Sequence, residues 1–156
     1  MNTLLRITNS NLECLDSTGT MLWSLPIESI VLVAEYTSDE GPYFDDYFLV
    51  IVTVEECKFY FSTCALYSGG SDEVLSILGE RLGSPIQLGL IFSTKWQSRV
   101  TWPAEMAGTE YFTFTTVPAE TLVEKFKKSL LGPTYEYAIS KRVQEYLREQ
   151  LASNCL

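Results

Sequence analysis

No histidine occurs in the 156 residues, so the side chain that most often serves as a general base near neutral pH, and most often binds metals, is missing. Serine and cysteine triads that depend on histidine are thereby excluded. Four cysteines, Cys14, Cys57, Cys64 and Cys155, stand apart in the chain; with no CxxC pair and no histidine they do not make a zinc set. They read as reduced thiols of a cytoplasmic protein, mostly filling the core. The chemistry that survives belongs to carboxylates, lysine and substrate-assisted mechanisms. Asp45 and Asp46 are adjacent, and coupled acids separate their titrations. Neighbours on a strand point to opposite faces, however, so no catalytic residue is assigned there. Gly69-Gly70 lacks the lysine and the further glycines of a phosphate-binding loop. No metal and no cofactor are expected.

Charge is the next strongest signal. Through Thr116 there are 15 acids and 5 bases, and from Val117 onward 5 acids and 6 bases, which together give the net charge of -9. No Lys or Arg lies between Arg6 and Lys58, whereas Glu13, Asp16, Glu28, Glu35, Asp39, Glu40, Asp45, Asp46, Glu55 and Glu56 all fall in that window. These ten acids predict a solvent-facing surface of one sign. Such a chain repels polyanions, so nucleic acid is not an expected partner. Nor do the acids follow the spacing of a calcium-binding EF-hand loop. The densest stretch, SDEGPYFDD from Ser38 to Asp46, is longer than a tight hairpin needs, and such loops gather binding residues. Asp39, Glu40, Asp45 and Asp46, interleaved with Tyr43 and Phe44, offer a basic protein both charge and an apolar anchor. The plainer reading is that acids on a hairpin tip keep an edge soluble.

A second cluster, STKWQSRVTWP from Ser93 to Pro103, brings Lys95, Trp96, Ser98, Arg99 and Trp102 together as the lining of a small anion or ligand pocket. Its plainer alternative is a strand with Trp102 in the core and Arg99 paired with a nearby acid.

These residues need elements to position them. Hydrophobic residues at 46% and charged residues at 20% match an ordinary globular chain, and the length suits one domain over residues 1–156. The N-terminus, MNTLLRITNSN, does not read as a secretory signal. The longest apolar run, near Tyr47 to Val52, is too short to cross a bilayer, so no membrane role is expected. Period-two patterning predicts strands at Leu4 to Ile7, Leu12 to Leu15, Met21 to Leu25, Ile30 to Tyr36, Tyr47 to Val54 and Phe59 to Cys64. Tyr47 to Val54 is apolar on both faces, as a mid-sheet strand is. Weaker strands follow at Leu88 to Phe92, Arg99 to Trp102 and Glu110 to Thr116. One helix is inserted from Ser71 to Leu82, with a serine cap, Asp72 and Glu73 in its first turn, and Gly83 and Pro85 at its exit. Val117 divides a sheet-rich part, 1–116, from a helical pair, 117–156. The first of the pair enters at Pro118, carries Leu122, Val123, Phe126 and Leu130 inward and stops at Gly132-Pro133; the second carries Ile139, Val143, Tyr146 and Leu147.

The predicted fold is therefore α+β: a mainly antiparallel sheet of six to nine strands, bent or partly closed, with a PH-like barrel as a variant. With FDDYF at Phe44 to Phe48, the acidic helix start at Asp72 and SRVTWP at Ser98 to Pro103, the stretch from Phe44 to Phe114 resembles an uncharacterised family of small bacterial proteins. That resemblance implies no activity, cofactor or partner. The expected function is a non-enzymatic interaction module that presents an acidic face to a basic protein, of the inhibitor or immunity type. The alternatives are an enzyme or small-ligand protein using the Lys95 to Trp102 region, and a homodimer formed through the C-terminal helices.

Overall fold

The computed structural model describes residues 3–39, 45–66, 71–116, 121–123, 125–126 and 135–155, with the backbone alone for 114–116 and 135–137. Strands β1 (Leu4–Thr8), β2 (Asn11–Leu15) and β3 (Met21–Pro26) form an antiparallel sheet in the order β1-β2-β3. Asn9, at φ 52°, makes the first turn, as a residue tolerant of the left-handed region can. Asp16 makes the second, its carboxylate accepting the backbone N–H groups of Thr18 and Thr20. Strands β4 (Ile30–Thr37), β5 (Tyr47–Glu55), β6 (Lys58–Ala65) and β7 (Gln97–Trp102) form a four-stranded antiparallel sheet in the order β6-β5-β4-β7. Glu56 and Cys57 both have positive φ, giving the two-residue loop that matches the twist of a β-hairpin. Strands β8 (Phe112–Thr116) and β9 (Tyr135–Ile139) pair separately. Helix α1 (Asp72–Leu82) is inserted after β6, and helix α2 (Lys141–Asn154) closes the chain.

The four-stranded sheet is covered on both faces, which is why β5 is apolar on both. On one face Val33, Leu49 and Ile51 pack with Leu5, Leu12, Cys14 and Leu25 of the three-stranded sheet and with Leu75 and Leu78 of α1. On the other, Leu32, Ala34, Val50, Val52 and Val100 pack with Met106, Tyr111 and Val143, Tyr146 and Leu147 of α2. Helix α2 is fixed at its start by Ser140, whose hydroxyl accepts the Val143 N–H and donates to the Glu110 carbonyl. Deeper in, the Tyr146 hydroxyl donates to the Val31 carbonyl at 2.9 Å, and burial raises that phenol to about 12. Helix α1 leaves through Gly83 at φ 88°, a conformation glycine takes without steric penalty.

The structure corrects several expectations. The described strands are antiparallel, as expected, but form three open sheets where a single bent or partly closed one was expected. Residues 88–92 are not a strand: the apolar alternation is present, but side chains take the place of a ladder partner. Ser71 sits at the N-cap position of α1 without capping it through its side chain. Among the described residues one C-terminal helix of regular length is present, and Ile139 ends β9 before it. Leu122, Val123 and Phe126 are helical but turn outward, 84%, 65% and 66% exposed. Expectations placed on Gly69, Gly70, Pro118, Leu130, Gly132 and Pro133 fall outside the described residues. Four reduced thiols are also not what is seen. Cys57 and Cys155 are joined by a disulfide across 98 residues of chain, because the β5–β6 turn lies beside the end of α2. The expectation of a cytoplasmic setting has to accommodate that bond.

Closing so long a loop restricts the unfolded chain. Replacing Cys155 with Ser is expected to lower unfolding stability by ~2–4 kcal/mol, measured by urea denaturation of the oxidised wild type and the variant under the same non-reducing conditions.

Candidate functional site

Two ends of the four-stranded sheet have to be kept apart. The β4–β5 connection lies at one end, closed by the Ser38 N–H on the Asp46 carbonyl at 2.9 Å. The β5–β6 turn with Glu55 and Glu56 lies at the other, a nine-residue strand away, or about 30 Å at the rise of an extended chain. The ten acids therefore do not share one face. Asp39, Asp45 and Asp46 belong to the first end, and Glu40, Tyr43 and Phe44 fall outside the described residues.

Two of the ten are covered by other side chains, Glu13 on the outer face of the three-stranded sheet and Glu35 in the core. Glu13 lies opposite Arg6 across β1 and β2. It accepts the Thr8 hydroxyl at 2.7 Å and two nitrogens of Arg6, Nε at 2.9 Å and Nη2 at 2.5 Å. The Thr8 hydrogen bond, followed by those of Arg6, holds its carboxyl below the usual range.

Glu35 is wholly buried, 0% exposed, in the middle of β4. Its register partners are Leu49 on β5 and Arg99 on β7. Oε2 accepts the Tyr47 hydroxyl at 2.5 Å. Oε1 accepts the backbone N–H groups of Gly89 at 2.6 Å and Leu90 at 3.1 Å. The Nε of Arg99 lies 3.6 Å from Oε1, too far for a hydrogen bond, so that contact is ionic. Arg99 Nη2 donates to the Gln87 carbonyl at 3.3 Å. The Tyr47 hydroxyl and the two amides all donate, which suits a carboxylate as their acceptor. Burial, with the hydrogen bond to Glu35 second, raises the Tyr47 phenol well above its usual range and keeps it a donor. Gly89 permits the close approach: a Cβ there would lie 2.8 Å from Arg99 Cζ. Chain 87–90 is thus bound to the sheet by an acid and a base, and sequence alternation alone gave no sign of this.

The five residues expected to line a pocket do not converge. Arg99, opposite Glu35, faces the layer with the three-stranded sheet; Ser98, opposite Tyr36, faces the other side, where its hydroxyl accepts the Phe112 N–H at 2.7 Å. A register shift between Val33 and Ala34 leaves Thr101 bulged, its hydroxyl on the Val33 carbonyl at 3.1 Å, and turns Trp102 into the core. Lys95 and Trp96 precede β7 at the acidic end. There the Lys95 carbonyl accepts the Thr37 hydroxyl at 2.6 Å, and Trp96 Nε1 donates to Asp39 Oδ1 at 2.8 Å. An open cavity of about 650 Å³ runs along α1 between Asp72, Ser76 and Glu80 and the chain at 84–88; none of the five residues lines it. Gly79 lets that chain fold back closely, since a Cβ would lie 3.1 Å from the Ile86 nitrogen.

Among the described residues no group of three or more Cys, Asp or Glu is placed to hold a metal ion. No described helix is long and apolar enough to cross a membrane. Comparison with protein-family models, curated proteins and solved structures gave no match.

Removing Glu35 leaves the Tyr47 hydroxyl and the Gly89 and Leu90 amides without their acceptor, and the part-exposed Arg99 without its ionic partner. Glu35→Ala is expected to lower stability by ~3–5 kcal/mol and to speed hydrogen exchange at the Gly89 and Leu90 amides above that of the β5 ladder; protection unchanged at those two amides would contradict the arrangement. For Glu13 the folded value lies below the unfolded one, so its contribution is fully present above about pH 4.3 and is lost as pH falls through the folded value. The stability gap between wild type and Glu13→Gln should accordingly be constant near neutrality and close on acidification, as followed by thermal unfolding across that range.

Proposed function

We propose that the chain acts as one domain and as a non-enzymatic interaction module, presenting the acidic, aromatic end of its four-stranded sheet to a basic protein of the inhibitor or immunity-partner kind. The observation that carries this reading is the Trp96–Asp39 hydrogen bond, 2.8 Å from indole nitrogen to carboxylate. It joins the two stretches that the sequence singles out. Trp96 is 38% exposed although its ring is held in place, and Phe92, in the same connection before β7, is 88% exposed. A held aromatic loses little side-chain freedom on binding, and an aromatic beside charge is the composition of interface hot spots. Asp39 and Asp46 make no ion pair among the described residues. Glu40, Tyr43 and Phe44 belong to the same proposal through the sequence alone. An enzymatic reading of the Lys95 to Trp102 stretch has less support, because Ser98 and Arg99 point to opposite faces of β7.

Surface charges chiefly set the rate and salt dependence of association, while a central aromatic contributes affinity. The expected result is a basic protein that the wild type captures from its own cell lysate at low salt and releases at high salt. Capture should fall about tenfold or more with Trp96→Ala, and should fall, with a weaker salt dependence, in the Asp39→Asn/Asp46→Asn double variant. The same captured proteins in the same amounts on all three baits would refute the reading.

A further inference from the structure

Cys14 on β2 and Cys64 on β6 are both buried, 0% and 3% exposed, in the layer where the three-stranded sheet meets the four-stranded one. Contacts on either side of Cys64 fix its position against that sheet. Its neighbour Thr63 offers a carbonyl to Trp23 Nε1 at 3.0 Å, and Trp23 is the register partner of Cys14. Its other neighbour, Ala65, offers a carbonyl to the Thr3 hydroxyl. Between these two ties Cys14 and Cys64 lie in one buried cluster, near enough for each thiol to shift the other's titration. With Cys57 and Cys155 already joined, the fold brings all four cysteines together two by two.

We propose that Cys14 and Cys64 are a second disulfide site, closed by exchange with a low-molecular-weight disulfide of the glutathione class as the chain folds. The Cys14 thiolate attacks one sulfur of the oxidant; the oxidant's S–S bond breaks, a mixed disulfide forms on Cys14, and the first thiol leaves carrying the Cys14 proton. The Cys64 thiolate then attacks the Cys14 sulfur and expels the second thiol, which takes up the Cys64 proton. The two cysteine sulfurs together lose two electrons, and the oxidant gains them as it becomes two thiols. Either cysteine can make the first attack and the other the second, because the contact that sets their thiols apart forms only when the sheets close. Burial keeps the oxidant from the finished core, so exchange belongs to partly open forms in which the three-stranded sheet has not yet closed on β6. Once the sheets close, the native contacts hold the two sulfurs together and favour this pairing over others.

The test is refolding from denaturant in a mixture of reduced and oxidised glutathione, followed by acid quench, alkylation in denaturant and intact mass with peptide mapping. A Cys57→Ser/Cys155→Ser chain is expected to lose two hydrogens, take no alkyl group and yield a peptide linking Cys14 to Cys64. Two alkylated cysteines, or stable glutathione adducts, would overturn the proposal. Wild type reports the same bond should that variant not fold: a loss of four hydrogens with links 14–64 and 57–155 supports it, whereas a loss of two hydrogens, or any 14–57 or 57–64 link, overturns it.

Discussion

A buried carboxylate must find partners within the fold, and Glu35 finds them on three different parts of the chain. Tyr47 on β5 and the Gly89 and Leu90 amides of the connection that follows α1 donate to it, and Arg99 on β7 adds an ionic contact. Each partner is tied to the others through one carboxylate, so the register of β4 with β7 and the path of 87–90 are fixed together. The amides matter most. An irregular connection lying against a sheet has backbone groups that no ladder satisfies, and burying them unpaired is unfavourable by a few kcal/mol each. Replacing Glu35 and Arg99 by apolar side chains would remove the charges and still leave those amides without partners. The ion pair thus acts chiefly on where the connection lies, which is the better-attested use of buried polar groups.

That placement reaches both surfaces of interest. The connection held by Glu35 forms one wall of the cavity along α1. Its continuation carries Phe92 and leads to Trp96, whose indole meets Asp39 just beyond the end of β4. An acid inside the fold therefore helps to set out acids and aromatics on its outside. Net charge alone does not describe this division of labour: Glu35 is an internal anchor, Glu13 pairs with Arg6 on the outer face of its own sheet, Asp16 organises a turn, and only some of the remaining acids share an end of the sheet.

Much of the fold was legible from local pattern. The six strands from Leu4 to Cys64 and the inserted helix with its Gly83 exit follow from alternation, turn residues and cap preferences, all of which depend on near neighbours in sequence. The failures have a common physical origin. Residues 88–92 carry a strand's alternation, but whether a ladder partner exists is decided by chain elsewhere. Glu35 sits in an apolar run that marked β4 correctly, yet nothing local says that a charge there will meet Arg99. The bulge at Thr101, which sends Trp102 and Ser98 to opposite faces, arises from register with β4. The outward Leu122, Val123 and Phe126 have the spacing of a buried stripe, but no neighbour among the described residues covers it. A pairing signal for Cys57 with Cys155 would have required knowing that a hairpin turn meets the last helix.

The side chains that bind β6 to the three-stranded sheet also bear on how separate molecules meet. β6 is the outer strand of its sheet, and an outer strand presents unpaired carbonyls and amides that invite a foreign strand to add on. Here Trp23 and Thr3 already occupy the carbonyls of Thr63 and Ala65. A neighbouring chain trying to extend the sheet along that half would have to displace an indole and a hydroxyl before forming its first bond, so the same contacts that close the core guard the protein against templated aggregation.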